Sequence, residues 1–209
     1  MNDIKMVVGV VIGSAILVFL MIFGLSKMSS GNAVGVKVNQ DEILAGALLT
    51  KQTGETKVTV VDFSDVQCPA CKVADQYLKP FRDLNGVKFV YRHFPLPIHK
   101  NATVGARAVE AARQLGKPWE MIDILFDKQD DWGLENNPDV KFSGYAKTIG
   151  LNETDFMKAY KSSETAATVS ADLALGDRLQ LSGTPSIFVN GELTATQFVV
   201  DKVNQLLKQ

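Results

Sequence analysis

Cysteine is scarce in this chain: 209 residues hold two, Cys68 and Cys71. Two cysteines cannot staple a small disulfide scaffold, so the core must come from apolar burial. Soft metal ligands are as rare, since the only histidines are His93 and His99. A run of 21 residues separates Cys71 from His93, longer than zinc-finger spacing, and zinc needs about four ligands. An excess of charge of one sign is also missing. Lys and Arg number 22 against 23 Asp and Glu, so the net charge is −1 and nucleic acid has no electrostatic claim on the chain. There is no internal repeat. The one biased tract is residues 26–34, rich in Ser, Gly and Asn, which reads as a flexible linker.

What remains is ordinary globular material, 46% apolar and 22% charged. The length allows one domain of roughly 150–180 residues and an appendage. The appendage is Met6 to Leu25, 20 residues without a charge. As a helix it would span about 30 Å, the thickness of a bilayer's hydrocarbon core. It exceeds the apolar stretch of a signal peptide, about 7–15 residues, and so predicts an uncleaved anchor. Small residues at Ser29, Ser30, Gly31 and Ala33 leave cleavage open. Flanking charge barely orients the span, with Lys5 before it and Lys27 and Lys37 after it. Only four residues besides Met1 and the apolar run lie on the near side, so nearly all of the chain shares the far one.

The two cysteines stand together in Cys68-Pro69-Ala70-Cys71, just after the apolar run Val58-Thr59-Val60-Val61-Asp62-Phe63. That run predicts a buried strand. Beyond Cys71, Ala74, Tyr77, Leu78, Phe81 and Leu84 mark one face of a helix, with a kink expected at Pro80. The pair therefore falls where a strand hands over to a helix. At a helix N-terminus, free N–H groups and the dipole stabilise negative charge, and a thiolate is the species that attacks or leaves a disulfide. This placement favours redox chemistry at sulfur.

The rest of the pattern supplies a fold. Val34–Val38 predicts a short strand, 41–49 a short helix, 52–57 a polar turn, and Asn85-Gly86 a helix end before a second strand at 87–93. Strand, helix and strand make a right-handed βαβ unit. Residues 99–181 read as helical, with Pro118 in a first turn, Asn152 as a cap and a long helix over 166–181. Ser186–Val189 is a strand, Asn190-Gly191 a hairpin turn, and Val199, Val203, Leu206 and Leu207 stripe a last helix. Early and late strands must share one sheet with the helical block beside it. The expected architecture is α/β, a thioredoxin-like fold over 35–209 with a helical insertion at about 99–181, a linker at 26–34, and a single N-terminal transmembrane helix within 1–25.

At these residues the chain resembles the DsbA-like thiol:disulfide oxidoreductases, in particular their membrane-anchored or secreted bacterial branch. The resemblance runs from Val58 to Lys208. It is carried by Asp62-Phe63-Ser64-Asp65 ahead of the cysteine motif, Arg92-His93-Phe94-Pro95-Leu96 with His99, Trp119-Glu120-Met121, Tyr145-Ala146 with Gly150-Leu151, and Gly183-Thr184-Pro185 with Phe188-Val189-Asn190-Gly191.

The resemblance implies a catalytic role for Cys68 as the exposed sulfur that forms mixed disulfides, and for Cys71 as the more buried resolving sulfur. Pro185 would be a cis-proline opposite the pair, leaving the Thr184 backbone free to pair with a substrate strand. Pro69 and Ala70 would join Thr184 and Pro185 in substrate contact. Ala70 cannot stabilise a thiolate by charge, which implies a less oxidising site than relatives with histidine there. Asp62 stands where the fold often buries an acid, suited to pass a proton to or from Cys71, although a partly exposed strand-end carboxylate remains the alternative. Asp65 would accept backbone hydrogen bonds in the loop, and His93, His99, Trp119 and Phe126 would be structural. The implied function is insertion of disulfides into reduced, unfolded exported proteins from the extracytoplasmic face of the membrane. No bound cofactor and no metal are implied. The partners would be a membrane quinone-linked thiol oxidase, which restores the pair, and lipid around residues 6–25. A reductase or isomerase on the same fold, and a non-catalytic peptide- or metal-binding module, stay open.

Overall fold

The computed structural model describes residues 34–209, so the expected membrane anchor and nearly all of the linker lie outside the described residues. Among the described residues no helix is long and apolar enough to cross a membrane. The elements follow the expected order: α1 (Gln40–Leu44), β1 (Leu49–Ser64), α2 (Pro69–Leu78) running into a 3-10 turn (Lys79–Asp83), and β2 (Asn85–His93). Six helices come next: α3 (Ala102–Gln114), α4 (Pro118–Asp127), α5 (Gln129–Trp132), α6 (Asp139–Thr148), α7 (Glu153–Tyr160) and α8 (Ser163–Arg178). The chain closes with β3 (Ser186–Val189), β4 (Glu192–Thr194) and α9 (Thr196–Leu207).

The strands form one sheet in the order β2-β1-β3-β4. Val58–Ser64 runs parallel to Val87–His93, as a βαβ unit requires, and β3 returns antiparallel along β1, Val60 opposite Val189. Asn190-Gly191 turns β3 into β4 with both residues at positive φ, 48° and 78°. That is the backbone a two-residue hairpin needs, and it is why Asn-Gly signals one.

Residues 52–57, expected as a polar turn, are extended instead. Leu49–Thr53 is matched to β2 in descending order, Leu49 with Tyr91 and Lys51 with Phe89, while Val60 meets Phe89 in the parallel half. One strand thus serves both edges of β2. It crosses the end of β2 at Gly54, φ +71°, where a Cβ would lie 2.1 Å from Asn85 Oδ1. Solvent-facing residues made this stretch look like a loop, because nothing polar in it is buried. Three smaller expectations also change. Val34–Val38 contributes a bridge, Lys37 to Glu192, rather than a strand. Asn85-Gly86 opens β2 rather than closing a helix. The helix after the cysteines stops being α-helical at Leu78, where Pro80 leaves a 3-10 turn.

Alternate residues of β1 feed two cores. Val58 and Val60 face the layer that contains α2, α9 and most of the helical block, while Val61 and Phe63 face α1 and α8 through Ile43, Leu175 and Leu179. Arg92 points to the second side and is fully engaged: Nη1 donates to Asp172 Oδ1 at 2.6 Å and Nη2 to the Ile43 carbonyl at 3.0 Å. Asp172 Oδ2 also accepts from the His93 backbone N–H at 3.0 Å, so α8 is tied to the end of β2. Phe94 packs directly on Gly176 of α8, where an added Cβ would stand 2.5 Å from the ring.

Gly176→Ala should therefore destabilise the protein. The substitution gains up to about 1 kcal/mol of helix propensity, but overpacking a closed contact costs about 1–3 kcal/mol. A urea titration should give a lower midpoint at unchanged slope; an unchanged or higher midpoint would show that Phe94 can move aside.

Candidate active site

The end of β1 delivers Asp62, Phe63 and Ser64 to the centre of the sheet, and the loop 65–67 carries the chain to Cys68. Cys68 is the N-cap of α2, with extended backbone (φ −72°, ψ 123°), and Pro69 takes the first helical position, where its missing N–H leaves nothing unpaired. The Cys68 N–H donates to Asp65 O at 2.9 Å, and the Cys68 carbonyl accepts from Lys72 N–H at 3.1 Å. Asp65 fastens the loop, as expected: its carboxylate accepts from the backbone N–H of Gln67 (2.8 Å) and Leu96 (3.0 Å), and His99 Nδ1 lies 2.7 Å away. His93 is buried beside Glu110, Nε2 to Oε2 3.8 Å.

Both cysteines are free thiols, and Cys71 lies one turn beyond Cys68. The Thr184-Pro185 peptide bond is cis, and the Cys68 thiol points at the Thr184 carbonyl, 3.6 Å from sulfur to oxygen. Pro69 and Ala70 are exposed on the first turn. Cys68, expected as an outward-facing sulfur, is more covered than that. It keeps 6% of its surface against 1% for Cys71, because the Thr184 segment and the loop 65–67 pack around it. The asymmetry between the two is preserved in their acidity.

Cys68 is lowered from an ordinary 9.0 to about 5, chiefly by a hydrogen bond from the Cys71 side chain. Burial works against this, and the Thr184 side chain and the N–H groups of Cys71 and Ala70 add to it. The lowering comes from neighbouring hydrogen-bond donors and not from a charge between the two cysteines. Cys71 moves the opposite way, far above the usual thiol range, because it is buried and shares its proton with Cys68. Asp62 is the buried acid: 3% exposed, with Oδ1 lacking a protein partner, it is raised to about 7 by burial first and then by Asp75. Ser64, two residues along the same strand face, places a hydroxyl that eases the ionisation of both Asp62 and Cys71. Tyr91, opposite Asp62 in the register, is held protonated by its burial.

Sequence reasoning named the cysteines, Asp62, Thr184 and Pro185, and the fold gathers them. It missed Ser64, whose i, i+2 spacing from Asp62 was a readable sign. It also missed Asp75 and the buried Arg82, whose guanidinium pairs with both Asp75 and Asp123. Among the described residues no group of three or more His, Cys, Asp or Glu side chains could hold a metal ion.

The acidity of Cys68 predicts a pH-dependent stability in the dithiol form. A group whose folded pKa is depressed contributes stability that is present above its unfolded value and lost as pH falls through the folded one. Reduced wild-type protein should thus gain stability over Cys68→Ala as pH rises from about 5 to about 9. Asp62, raised to about 7, runs the other way below that pH and is common to both proteins. Urea midpoints that stay parallel across the range would show that Cys68 titrates normally.

Residues 53–209 match the family model Thioredoxin_4, described as thioredoxin. The chain is 35% identical over 139 residues to the Na(+)/H(+) antiporter NhaA 3 of Salinispora tropica, an alignment covering 66% of this chain and 21% of that one. It spans only about a fifth of such antiporters, and the ion exchange in their name belongs to them. It is 29% identical over 156 residues to the probable disulfide bond formation protein D of Bacillus cereus, covering 69% of this chain and 70% of that protein. Its fold is similar to oxidised BdbD of Bacillus subtilis, with TM-score 0.65 and 24% identity over 84% of this chain and 96% of that one. With three quarters of its length inside the family model and the architecture shared, the chain belongs to the Thioredoxin_4 family of thioredoxins and is DsbA-like in its fold.

Proposed function

We propose that the chain is a thiol:disulfide oxidoreductase that puts disulfides into exported proteins by exchange at Cys68 and Cys71. The observation that carries this reading is two free thiols one helical turn apart at the start of α2, the first pointing at the Thr184 carbonyl beside the cis bond to Pro185, with acidities shifted in opposite directions. A substrate thiolate attacks Cys68 of the enzyme disulfide. The S–S bond breaks, a mixed disulfide forms, and Cys71 leaves and takes a proton. A second substrate thiolate then attacks the substrate's sulfur, and Cys68 leaves as a thiolate. Two electrons pass to the enzyme; of the two substrate protons, one ends on Cys71 and one in solvent. An easily ionised Cys68 is a good leaving group and favours the dithiol, which makes an oxidant rather than a reductant.

Asp62, half protonated near neutrality, is suited to supply and recover the Cys71 proton. Pro69 and Ala70, exposed beside the sulfur, would meet the substrate, with the Thr184 backbone pairing to its extended chain and Pro185 fixing that segment. The exchange itself needs no cofactor. Residues 6–25 would tether the domain 35–209 through the linker 26–34, on the extracytoplasmic side where disulfides persist. A quinone-linked thiol oxidase in the membrane would reoxidise the pair. The relationship to a protein named for disulfide bond formation supports the same direction of electron flow.

Equilibration of the full chain with glutathione should leave it mostly reduced under conditions that oxidise thioredoxin; a poise near that of thioredoxin would sink the oxidase reading. Cys71→Ser should accumulate mixed disulfides with reduced, unfolded protein, and Cys68→Ser should accumulate none. Thr184→Val removes a buried hydroxyl, otherwise without a hydrogen-bond partner, that lowers the Cys68 pKa, so it should raise that pKa and weaken the oxidant, read by thiolate absorbance and the same equilibrium.

A further inference from the structure

Three buried amide side chains join the loop ahead of Cys68 to the helical block. Gln129, the first residue of α5 and 6% exposed, donates through Nε2 to the Val66 carbonyl at 2.9 Å and to the Cys68 carbonyl at 3.1 Å. Gln67 donates to Gly133 O at 2.6 Å and accepts from the Asn101 N–H at 2.6 Å. Asn101 Nδ2 in turn reaches the carbonyls of Trp132, Gly133 and Glu135. Gln67 and Asn101 tie the loop to the block without touching Cys68. Gln129 does something they do not, because its amide ends on the backbone of the reacting residue itself.

We propose that Gln129 is a positioning residue for Cys68: its amide holds the carbonyl of Cys68 and that of Val66, and through them the helical block sets how readily the sulfur carries negative charge. The proposal rests on the reading of Cys68 as the reacting sulfur. The Cys68 carbonyl oxygen is the negative end of the peptide dipole belonging to the thiolate's own residue. Lys72 N–H already binds it within α2, and Gln129 is a second donor from outside the helix. Two donors drain negative potential from that oxygen and fix the peptide plane, which keeps the Ala70 and Cys71 N–H groups aimed at the sulfur. Because both amide bonds of Gln129 end on carbonyls, its NH2 group must face the loop. The positive end of its dipole therefore lies beside Cys68.

The test uses the full chain, reduced, with Cys68 titrated by thiolate absorbance and the dithiol equilibrated with glutathione. Gln129→Met keeps the side chain's length and removes both donors. It should shift the thiol–thiolate equilibrium toward thiol by about three- to tenfold, the scale of one neutral hydrogen bond, and move the glutathione equilibrium toward oxidised protein by a similar factor. Gln129→Leu should act in the same direction and serves if the methionine variant fails to fold. Gln67→Met cuts the loop from Gly133 and Asn101 without touching the Cys68 carbonyl, and should lower the urea midpoint while leaving Cys68 unchanged. Wild-type acidity in both Gln129 variants, or an equal shift in Gln67→Met, would overturn the proposal in favour of a general clamp. These readings are independent of turnover. A protein whose Cys68 acidity responds to Gln129 but which oxidises nothing defeats the functional reading alone, and an active oxidase indifferent to Gln129 defeats this one alone.

Discussion

A negative sulfur has to be kept at the tip of α2 while its neighbour one turn away is kept neutral, and the rest of the molecule is arranged around that opposition. Each sulfur enforces the state of the other. The Cys71 thiol gives its proton as a hydrogen bond to Cys68, and a charged Cys68 makes ionisation of Cys71 still harder. Burial of Cys71 against the sheet supplies the other half of the effect. Were both sulfurs equally exposed, they would differ little, and an exchange reaction would have no defined entering and resolving partner.

Holding this arrangement is the work of a scaffold that converges from several directions. The end of β1 brings the loop and Asp62, the cis segment before β3 brings Thr184, and the helical block brings Gln129. The Asp65 carboxylate gathers Gln67, Leu96 and His99 around the loop, so its backbone is fixed before the helix begins. At the far side of the sheet, Arg92 and Asp172 tie β2, α1 and α8 together with buried charge-assisted bonds. The site is thus assembled from groups distant in sequence, and its rigidity belongs to the fold rather than to the four-residue motif.

How much of this could be read from the sequence follows from the range of each interaction. Cys68-Pro69-Ala70-Cys71 after an apolar strand, Asn190-Gly191 and the Asn152 cap are local signals, and each appears where expected. The order of strands and the helical block were legible for the same reason, since periodicity is local. The error at 52–57 has a physical origin. An edge segment with neither face buried carries no alternation, so its composition resembles that of a loop. Asn85-Gly86 misled because glycine at positive φ closes helices and also opens strands. Gln129 and the pairing of Arg82 with Asp123 had no sequence signature, because the partner lies tens of residues away. The degree to which Cys68 is covered was hidden likewise, since the cover comes from residue 184.

The doubling of β1 across both sides of β2 has a consequence for the proposed exchange with unfolded chains. An unfolded client offers free backbone, and an open hydrophobic strand margin would capture it and nucleate clumping. Here one margin of β2 is closed by Val58–Ser64 and the other by Leu49–Thr53, while the bridge at Lys37 shields β4. The new outer border is polar, with Lys51 paired to Asp83 and a bend at Gly54. In the proposed reaction a client would find few places along this rim to adhere, and its extended backbone would be left to seek partners beside the sulfur.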